Sequence, residues 1–220
     1  MILKAENLSK TYLQGSREIP VIEKLDFEIP KNESYAFVGK SGSGKTTLLS
    51  ILSGILKPDG GDVTINGSSL YKLDEDAQSR FRAQNIGIVF QQYHLMPDLD
   101  IWENVCLPLE INQKDNFKKA ESLIELVGLK DRMQHYPYQL SGGEQQRVAI
   151  ARALAIEPKI LFADEPSGNL DEGTGDKVMG LLFDAVSELK IPIVLVTHSK
   201  ALADKCDHKF KVQNGSLETI

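Results

Sequence analysis

The sequence has 220 residues, of which 41% are hydrophobic and 25% are charged, so it can bury the core of one substantial domain. This composition excludes a disordered or low-complexity chain. Acidic residues outnumber basic residues by 31 to 25, and the net charge of −6 leads us to expect no nucleic acid partner. The apolar runs fall far short of the ~20 residues of a membrane-spanning helix, and the N-terminal residues lack the pattern of a signal peptide. The two cysteines, Cys106 and Cys206, lie far apart without metal-ligand spacing, and we interpret them as reduced thiols of a cytosolic protein.

The predicted elements alternate between short apolar runs and longer helical patterns. Near the N-terminus, residues 21–29 and 62–65 suggest an antiparallel β layer. Compact apolar runs that predict buried strands lie at 35–38, 86–90, 160–163 and 193–196. Close to the C-terminus, the Asn-Gly pair within residues 213–216 predicts a tight hairpin.

Two periodic apolar stripes predict amphipathic helices over residues 117–127 and 178–189. Because strands alternate with helices, we expect an α/β fold whose sheet is mainly parallel. Residues 93–153 have helical patterns without a convincing strand. We interpret them as a helical subdomain inserted into the α/β core of a single domain that spans residues 1–220.

A glycine-rich segment that follows the first compact strand carries the first chemical signal. Residues 39–46 fit the pattern G-x-x-x-x-G-K-[ST] of the phosphate-binding loop, and apolar residues at helical spacing come next. In such a loop, successive backbone N–H groups and the following helix N-terminus bind phosphate oxygens. Lys45 is expected to reach the β- and γ-phosphates, and the Thr46 hydroxyl is expected to bind Mg²⁺. The predicted nucleotide-binding residues of this segment are Gly39, Lys40, Ser41, Gly42, Ser43, Gly44, Lys45, Thr46 and Thr47.

Two acidic residues, Asp164 and Glu165, end the apolar strand predicted at 160–163. Ligands of a parallel sheet bind at the carboxyl ends of its strands. At that position, Asp164 would hold Mg²⁺ and Glu165 would polarise the water that attacks the γ-phosphate. Taken alone, this pattern is also that of an ordinary strand end, so its meaning depends on the phosphate-binding loop.

A second helix N-terminus shaped for an anion is predicted at residues 140–145. Ser141 and Glu144 form the S-x-x-E pattern of a capping box. Gly142 and Gly143 would weaken an ordinary first turn, so the pair indicates that the backbone closely approaches another group. With one phosphate-binding loop and one further half-site per chain, the sequence predicts a homodimer. In that dimer, residues 141–144 of one chain complete the nucleotide site of the other.

Taken together, these motifs resemble those of the ABC ATPases, whose signature motif is matched by Leu140-Ser-Gly-Gly-Glu-Gln, and the resemblance covers essentially the whole chain. It implies a P-loop NTPase (RecA-like) core and an Mg²⁺-dependent ATPase that binds ATP. It also implies an integral-membrane permease subunit as partner and a peripheral position at the cytoplasmic face of the cell membrane. The permease is expected to contact the segment between Tyr93 and Trp102. Five of its apolar side chains could instead belong to the core of the helical subdomain: Tyr93, Leu95, Met96, Leu99 and Trp102.

The same resemblance implies roles for residues outside these motifs. Tyr12 looks like the aromatic residue that stacks on adenine. Gln91 is similar to the glutamine that links Mg²⁺ and the attacking water to the transporter interface, and His198 to the switch histidine that contacts the γ-phosphate. Asn169 and Asp171 lie in a segment that resembles the loop crossing between protomers. Taken singly, the first three residues could equally have ordinary structural roles.

Residues 91–97, 103–105 and 166–171 further resemble those of the lipoprotein-releasing, macrolide-export and cell-division ABC ATPases. In that group a stand-alone ATPase pairs with a separate membrane subunit. Ser167 and Ser199 depart from the commonest pattern of the group, which leaves the subfamily member open. Two alternatives to transport are a mechanotransmitter that controls an extracytoplasmic process and a soluble ABC ATPase of DNA repair or translation. The second class usually has two cassettes or a long coiled-coil insert, which this sequence lacks.

Overall fold

The structure, a computed structural model, describes residues 1–30, 33–213 and 215–220, and its chain forms two compact units. The first unit comprises Met1–Arg82 and Pro192–Ile220, and the second comprises Ala83–Ile191. Within the described residues, no helix is both long enough and apolar enough to cross a lipid bilayer.

Strands dominate the first unit. They are β1 (Leu3–Gln14), β2 (Arg17–Ile29), β3 (Ser34–Val38), β4 (Gly60–Ile65), β5 (Ser68–Ser69), β8 (Ile193–Val196), β9 (His208–Gln213) and β10 (Ser216–Thr219). The helices of this unit are α1 (Lys45–Leu52) and α7 (Lys200–Ala203), and α2 (Glu75–Asn85) runs on into the second unit.

The second unit is mostly helical. Its strands are β6 (Ile86–Phe90) and β7 (Ile160–Asp164). Its helices are α3 (Ile101–Ile111), α4 (Phe117–Leu126), α5 (Gly142–Leu154) and α6 (Glu172–Glu188), with short 3₁₀ turns at Lys130–Arg132 and Pro137–Gln139.

The antiparallel layer expected near the N-terminus is present in the first unit. Its four strands lie in the order β2-β1-β4-β5. Leu3 pairs with Ile65 and Ala5 pairs with Val63, and all four side chains are buried. Because alternate residues of a strand point to the same face, these pairs supply one face of the core.

Strand β3 has parallel neighbours on both sides. It pairs with β8 and with β9, and β9 in turn pairs with β10 in antiparallel orientation. Tyr35, Ala36 and Phe37 are all buried, as expected for a strand that is covered on both faces. In the predicted C-terminal hairpin, Ser216 lies opposite Gln213, and Asn214 lies outside the described residues.

In the second unit, β6 and β7 form a parallel pair in which Phe90 lies opposite Asp164. The strands predicted at 86–90 and 160–163 are therefore confirmed. Helices α4 and α6 contain the two predicted apolar stripes except for their last residues, Val127 and Leu189, which are the C-caps. Between residues 93 and 153, all of which are described, the regular elements are helices. A separate subdomain over that range stays a prediction.

Strands β1 and β5 and helices α2 and α7 have no counterpart in the sequence-based prediction. Strand β1 changes register between Ala5 and Leu8, so its apolar residues do not keep the two-residue period of a regular strand. Every residue of α2 is exposed or half-buried, so this helix has no apolar stripe to reveal it.

Candidate functional site

The predicted phosphate-binding loop connects β3 to α1 in the first unit. Gly44 caps α1 with a φ of 93°, in the left-handed region that glycine adopts without strain. A Cβ atom at this position would also lie 2.6 Å from the Cγ1 atom of Val21. Glycine is therefore required here both by the backbone conformation and by the close approach of β2.

Lys45 is buried at the first position of α1, with 6% of its surface exposed. Its Nζ donates hydrogen bonds to the carbonyl oxygens of Gly39 and Lys40, both at 3.0 Å. The ammonium group is thus held over the loop, where it can exchange carbonyl partners for phosphate oxygens. Thr46 is exposed and Thr47 is half-buried in the same helical turn.

A cavity of about 530 Å³ lies beside this loop. Its described lining combines residues 40–43 of the loop with residues 19–21 of β2 and residues 211–213 of β9. The sequence analysis missed the β2 and β9 walls, because no local pattern shows which distant strands border a loop.

Tyr12 and His198, the two other predicted site residues of the first unit, are both exposed. Tyr12 pairs with Ile19, a lining residue of the cavity, and 41% of its surface is exposed. The Nζ atom of Lys10 lies 5.8 Å from the centre of the Tyr12 ring, within the range of a cation–π contact. His198 follows β8 and Thr197.

In the second unit, three predicted residues emerge from the carboxyl ends of neighbouring strands. Gln91 follows β6 directly, Asp164 ends β7, and Glu165 comes next. Glu165 has a φ of 44°, an uncommon conformation for a residue with a side chain. Eight other non-glycine residues of the described chain also have a positive φ, so this conformation alone does not distinguish Glu165.

The structure also joins Gln91 to the loop that follows β7. The Nε2 atom of Gln91 donates to the Oδ1 atom of Asn169 at 2.9 Å, and the Nδ2 atom of Asn169 donates to the carbonyl oxygen of Gln91 at 3.0 Å. Asp171, two residues later, caps α6 by accepting from the backbone N–H of Thr174. Hydrogen bonds from Thr174 lower the pKa of Asp171.

The predicted capping box of α5 is confirmed. The backbone N–H and the hydroxyl of Ser141 both donate to Oε2 of Glu144 at 2.8 Å, and the Glu144 N–H returns a bond to the Ser141 hydroxyl. Arg132 contacts the other carboxylate oxygen of Glu144 at 2.8 Å. The Ser141 donors, with the Arg132 charge, lower the pKa of Glu144.

Both glycines at the start of α5 are closely approached by their own chain. A Cβ atom at Gly142 would lie 2.8 Å from the hydroxyl oxygen of Tyr93. A Cβ atom at Gly143 would overlap the Cγ2 methyl group of Thr174. The close approach that the sequence predicted therefore includes Tyr93 and α6, besides any ligand of this helix N-terminus.

The segment between Tyr93 and Trp102 is held by one half-buried and one fully buried polar residue, both of which sequence reasoning missed. The guanidinium of Arg152 donates to the carbonyl oxygens of Tyr93 and His94. Asn104, which is fully buried, accepts from the N–H of Met96 and donates to three carbonyl oxygens of residues 96–100. Arg152 and Asn104 lie at sequence positions typical of ordinary helix residues, so no local pattern predicts their contacts with this segment.

Of the five apolar residues expected in the permease-contacting segment, Met96 is the exposed one, with 44% of its surface accessible. The other four are half-buried: Tyr93, Leu95, Leu99 and Trp102. Of these five residues, the segment thus presents one exposed apolar side chain, on a loop whose backbone is hydrogen-bonded to Arg152 and Asn104.

Comparison with known proteins identifies the family to which these site residues belong. Residues 22–168 match the ABC transporter family. The chain belongs to this family. It is 45% identical over 218 residues to the lipoprotein-releasing system ATP-binding protein LolD of Hydrogenovibrio crunogenus, covering 98% of this chain and 95% of that protein. It is 42% identical to the uncharacterized ABC transporter ATP-binding protein YbbA of Escherichia coli, covering 99% of this chain and 96% of that one.

Solved structures of ABC cassettes are similar throughout. The dimeric post-hydrolysis structure of the ATP-binding cassette MJ0796, bound to ADP and Pi, has a TM-score of 0.90 and 38% identity, covering 99% of this chain and 97% of that chain. The structure of cbiO1 from Clostridium perfringens has a TM-score of 0.86 and 30% identity, covering 99% of this chain and 86% of that chain. The predicted P-loop NTPase fold is thereby confirmed. This ABC ATPase is an ATP-binding and ATP-hydrolysing subunit of an ABC transporter.

Proposed function

We propose that this ABC ATPase hydrolyses Mg-ATP as a head-to-tail homodimer and drives a separate integral-membrane subunit of the export or lipoprotein-release type. The observation that carries the proposal is the presence, on one chain, of two anion-binding helix N-termini. One follows the phosphate-binding loop at α1, and the other is the Ser141-capped start of α5.

On the nucleotide, the loop residues 39–47 and Tyr12 act together. Lys45 binds the β- and γ-phosphates, and backbone N–H groups of the loop bind phosphate oxygens. Tyr12, exposed beside the cavity wall, stacks on the adenine ring.

The proposed hydrolytic residues are Glu165, Gln91 and His198. Glu165 accepts a proton from the attacking water, and its position directly after Asp164 at the carboxyl end of β7 supports this role. His198 contacts the γ-phosphate, and Gln91 orients the water.

The residues proposed for Mg²⁺ suit this ion, because the hydroxyl of Thr46, the carboxylate of Asp164 and the side-chain carbonyl of Gln91 are hard oxygen donors. Among the described residues, no group of three His, Cys, Asp or Glu side chains could hold a metal by itself. Mg²⁺ is commonly bound by one or two carboxylates together with substrate phosphates. When bound, it neutralises charge that develops on the phosphate oxygens.

The second copy supplies residues 141–144, which bind the γ-phosphate in trans, and Asn169 and Asp171 face the partner across the dimer interface. Support comes from the cassette MJ0796, whose solved structure is dimeric and bound to ADP and Pi. The segment between Tyr93 and Trp102 contacts the membrane subunit through the exposed side chain of Met96. Such a subunit lies peripherally at the cytoplasmic face of the cell membrane, and the similarity to LolD supports lipoprotein release as the process it powers.

The variant Glu165→Gln tests the proposal. The amide keeps the size of the side chain but cannot accept the proton, so hydrolysis should fall by about 10² to 10⁴. ATP should remain bound, and size-exclusion chromatography with light scattering should show a doubled mass at saturating ATP and Mg²⁺. Glu172→Gln, the same change in the exposed first turn of α6, is the matched control.

Two outcomes would contradict separate parts of the proposal. A Glu165→Gln protein that hydrolyses ATP at the wild-type rate would show that Glu165 is not the base. A protein that binds ATP but keeps its monomer mass would exclude the homodimer for the isolated subunit. Adding Ser141→Arg should return the trapped dimer to monomer, because a bulky side chain then occupies the phosphate contact.

A further inference from the structure

Two hydrogen bonds join Gln91 and Asn169, one to the backbone carbonyl of Gln91 and one from its side-chain amide. The carbonyl oxygen of the Gln91 backbone can only accept, so the side chain of Asn169 must turn its Nδ2 donor toward it. The Oδ1 atom of Asn169 then lies on the other side of the amide. There it can only accept, and it accepts from the Nε2 atom of Gln91.

This chain of donors and acceptors sets the orientation of the Gln91 side chain. An amide group can rotate by half a turn and exchange its nitrogen and its oxygen at little steric cost. With Nε2 held by Asn169, the Oε1 atom of Gln91 is turned away from Asn169. Oε1 is the atom of this amide that can bind a hard cation such as Mg²⁺.

The loop around Asn169 is shaped to keep this contact. The N–H of Gly168 donates to the carbonyl oxygen of Glu165 at 2.9 Å, and the N–H of Leu170 donates to that of Ser167 at 3.0 Å. A Cβ atom at Gly168 would lie 2.9 Å from the Nε2 atom of Gln91. The turn therefore packs its backbone directly against the Gln91 amide, and a side chain at position 168 would displace that amide from its present place.

From this geometry we infer that Asn169 is a positioning residue that selects the orientation of the Gln91 amide in which Oε1 faces the metal. The inference rests on the proposed role of Gln91 as an Mg²⁺ ligand and assigns Asn169 a task within its own chain, in addition to the proposed dimer contact. Residues that orient a metal ligand typically change metal affinity 10- to 100-fold when they are removed.

An orienting role and a packing role of the Asn169 side chain predict different results when residue 91 is changed. A carboxylate presents an oxygen in either orientation, so in the background of Gln91→Glu the loss of Asn169 should cost little. If Asn169 merely stabilised the loop, its removal would cost the same whichever residue occupied position 91.

The test is a double-mutant cycle with Mn²⁺ as the probe for Mg²⁺. The full chain is saturated with a non-hydrolysable ATP analogue, and Mn²⁺ binding is titrated by electron paramagnetic resonance. Asn169→Ala should raise the Mn²⁺ dissociation constant about 10-fold in the wild-type background and less than about 2-fold in the Gln91→Glu background. Asn112→Ala is the matched control, because the Nδ2 atom of Asn112, like that of Asn169, donates to backbone carbonyl oxygens, here those of Ala83 and Pro108 instead of Gln91.

Two results would overturn the inference alone. They are an equal loss of affinity in both backgrounds and an unchanged affinity in both, each in variants whose melting temperature matches the Asn112→Ala control. The single variant Gln91→Ala tests the underlying assignment in the same titration. If it leaves Mn²⁺ affinity unchanged, Gln91 is not a ligand, and the proposed function fails at that residue together with the inference.

Discussion

Individual residues of the phosphate-binding loop show how a few contacts prepare a nucleotide site. Lys45 is buried and bonded to carbonyl oxygens of its own loop, so its ammonium group is already ordered before phosphate replaces those partners. Gly44 combines a positive φ with a close approach of Val21, so no other residue fits. Tyr12, in contrast, is already exposed, so its ring needs little rearrangement to contact a base.

Tyr12→Ala should therefore weaken ATP binding without abolishing it. Stacking of a base on an aromatic ring contributes roughly 1–3 kcal/mol, which corresponds to a fall in affinity of about 5- to 150-fold. Isothermal titration calorimetry with ATP measures the effect, and Tyr12→Phe should be mild. Leu13→Ala is a suitable control because Leu13 is also exposed and points to the opposite face of β1. Unchanged affinity in Tyr12→Ala would assign this ring a packing role.

At the scale of single residues, the sequence predicted which residue types carry the chemistry. It did not predict which distant residues hold them by hydrogen bonds. A glycine-rich loop and an Asp-Glu pair after a strand are local patterns. The contacts of Asn169 with Gln91, and of Arg152 with Tyr93, join residues 78 and 59 positions apart. Such pairs arise from the approach of separate loops, which no local spacing encodes.

At the start of helix α5, the capping box lies within the signature motif. Its capping box satisfies N–H groups at the helix start, and the Glu144 carboxylate also contacts Arg132. Since folding lowers the pKa of Glu144, the ionised carboxylate contributes stability. That contribution is present above the ordinary carboxyl pKa of 4.5 and is lost as the pH falls through the lowered pKa of the folded state.

Glu144→Ala should lower stability most at neutral pH. Loss of the cap contact costs about 1–2 kcal/mol, which corresponds to a decrease of about 2–8 °C in melting temperature for a chain of this size. The difference from wild type should shrink once the pH falls below 4.5, as differential scanning fluorimetry across pH can show. Glu121→Ala, on the exposed face of α4, should change the melting temperature little at any pH. A Glu144→Ala deficit that is constant down to low pH would contradict the linkage.

Elements were predicted well where burial imposes a pattern and poorly where it does not. The runs at 86–90 and 193–196 coincide with β6 and β8, because strands buried on both faces read as unbroken apolar runs. Helix α2, with no buried residue among its eleven described positions, leaves no periodic trace. The register shifts of β1 break its alternation in the same way.

At the scale of the whole molecule, the central claim is that one chain carries two half-sites that meet those of a second copy. The count of anion-binding helix N-termini led to this expectation from the sequence alone. The capped start of α5 and the ordered loop before α1 give each half-site a defined geometry within its own unit.

Directed cross-linking tests that claim most directly. Two differently tagged chains carry Glu165→Gln, and one also carries Ser141→Cys while the other carries Ser41→Cys. The native Cys106 and Cys206 are buried, and burial raises the pKa of both thiols to about 12, so their background reaction should be slow. With ATP and Mg²⁺, mild oxidation should produce a disulfide between the two different chains, detected by both tags on one band. Cross-linking only between identical chains, or none although ATP is bound, would contradict the head-to-tail composite site.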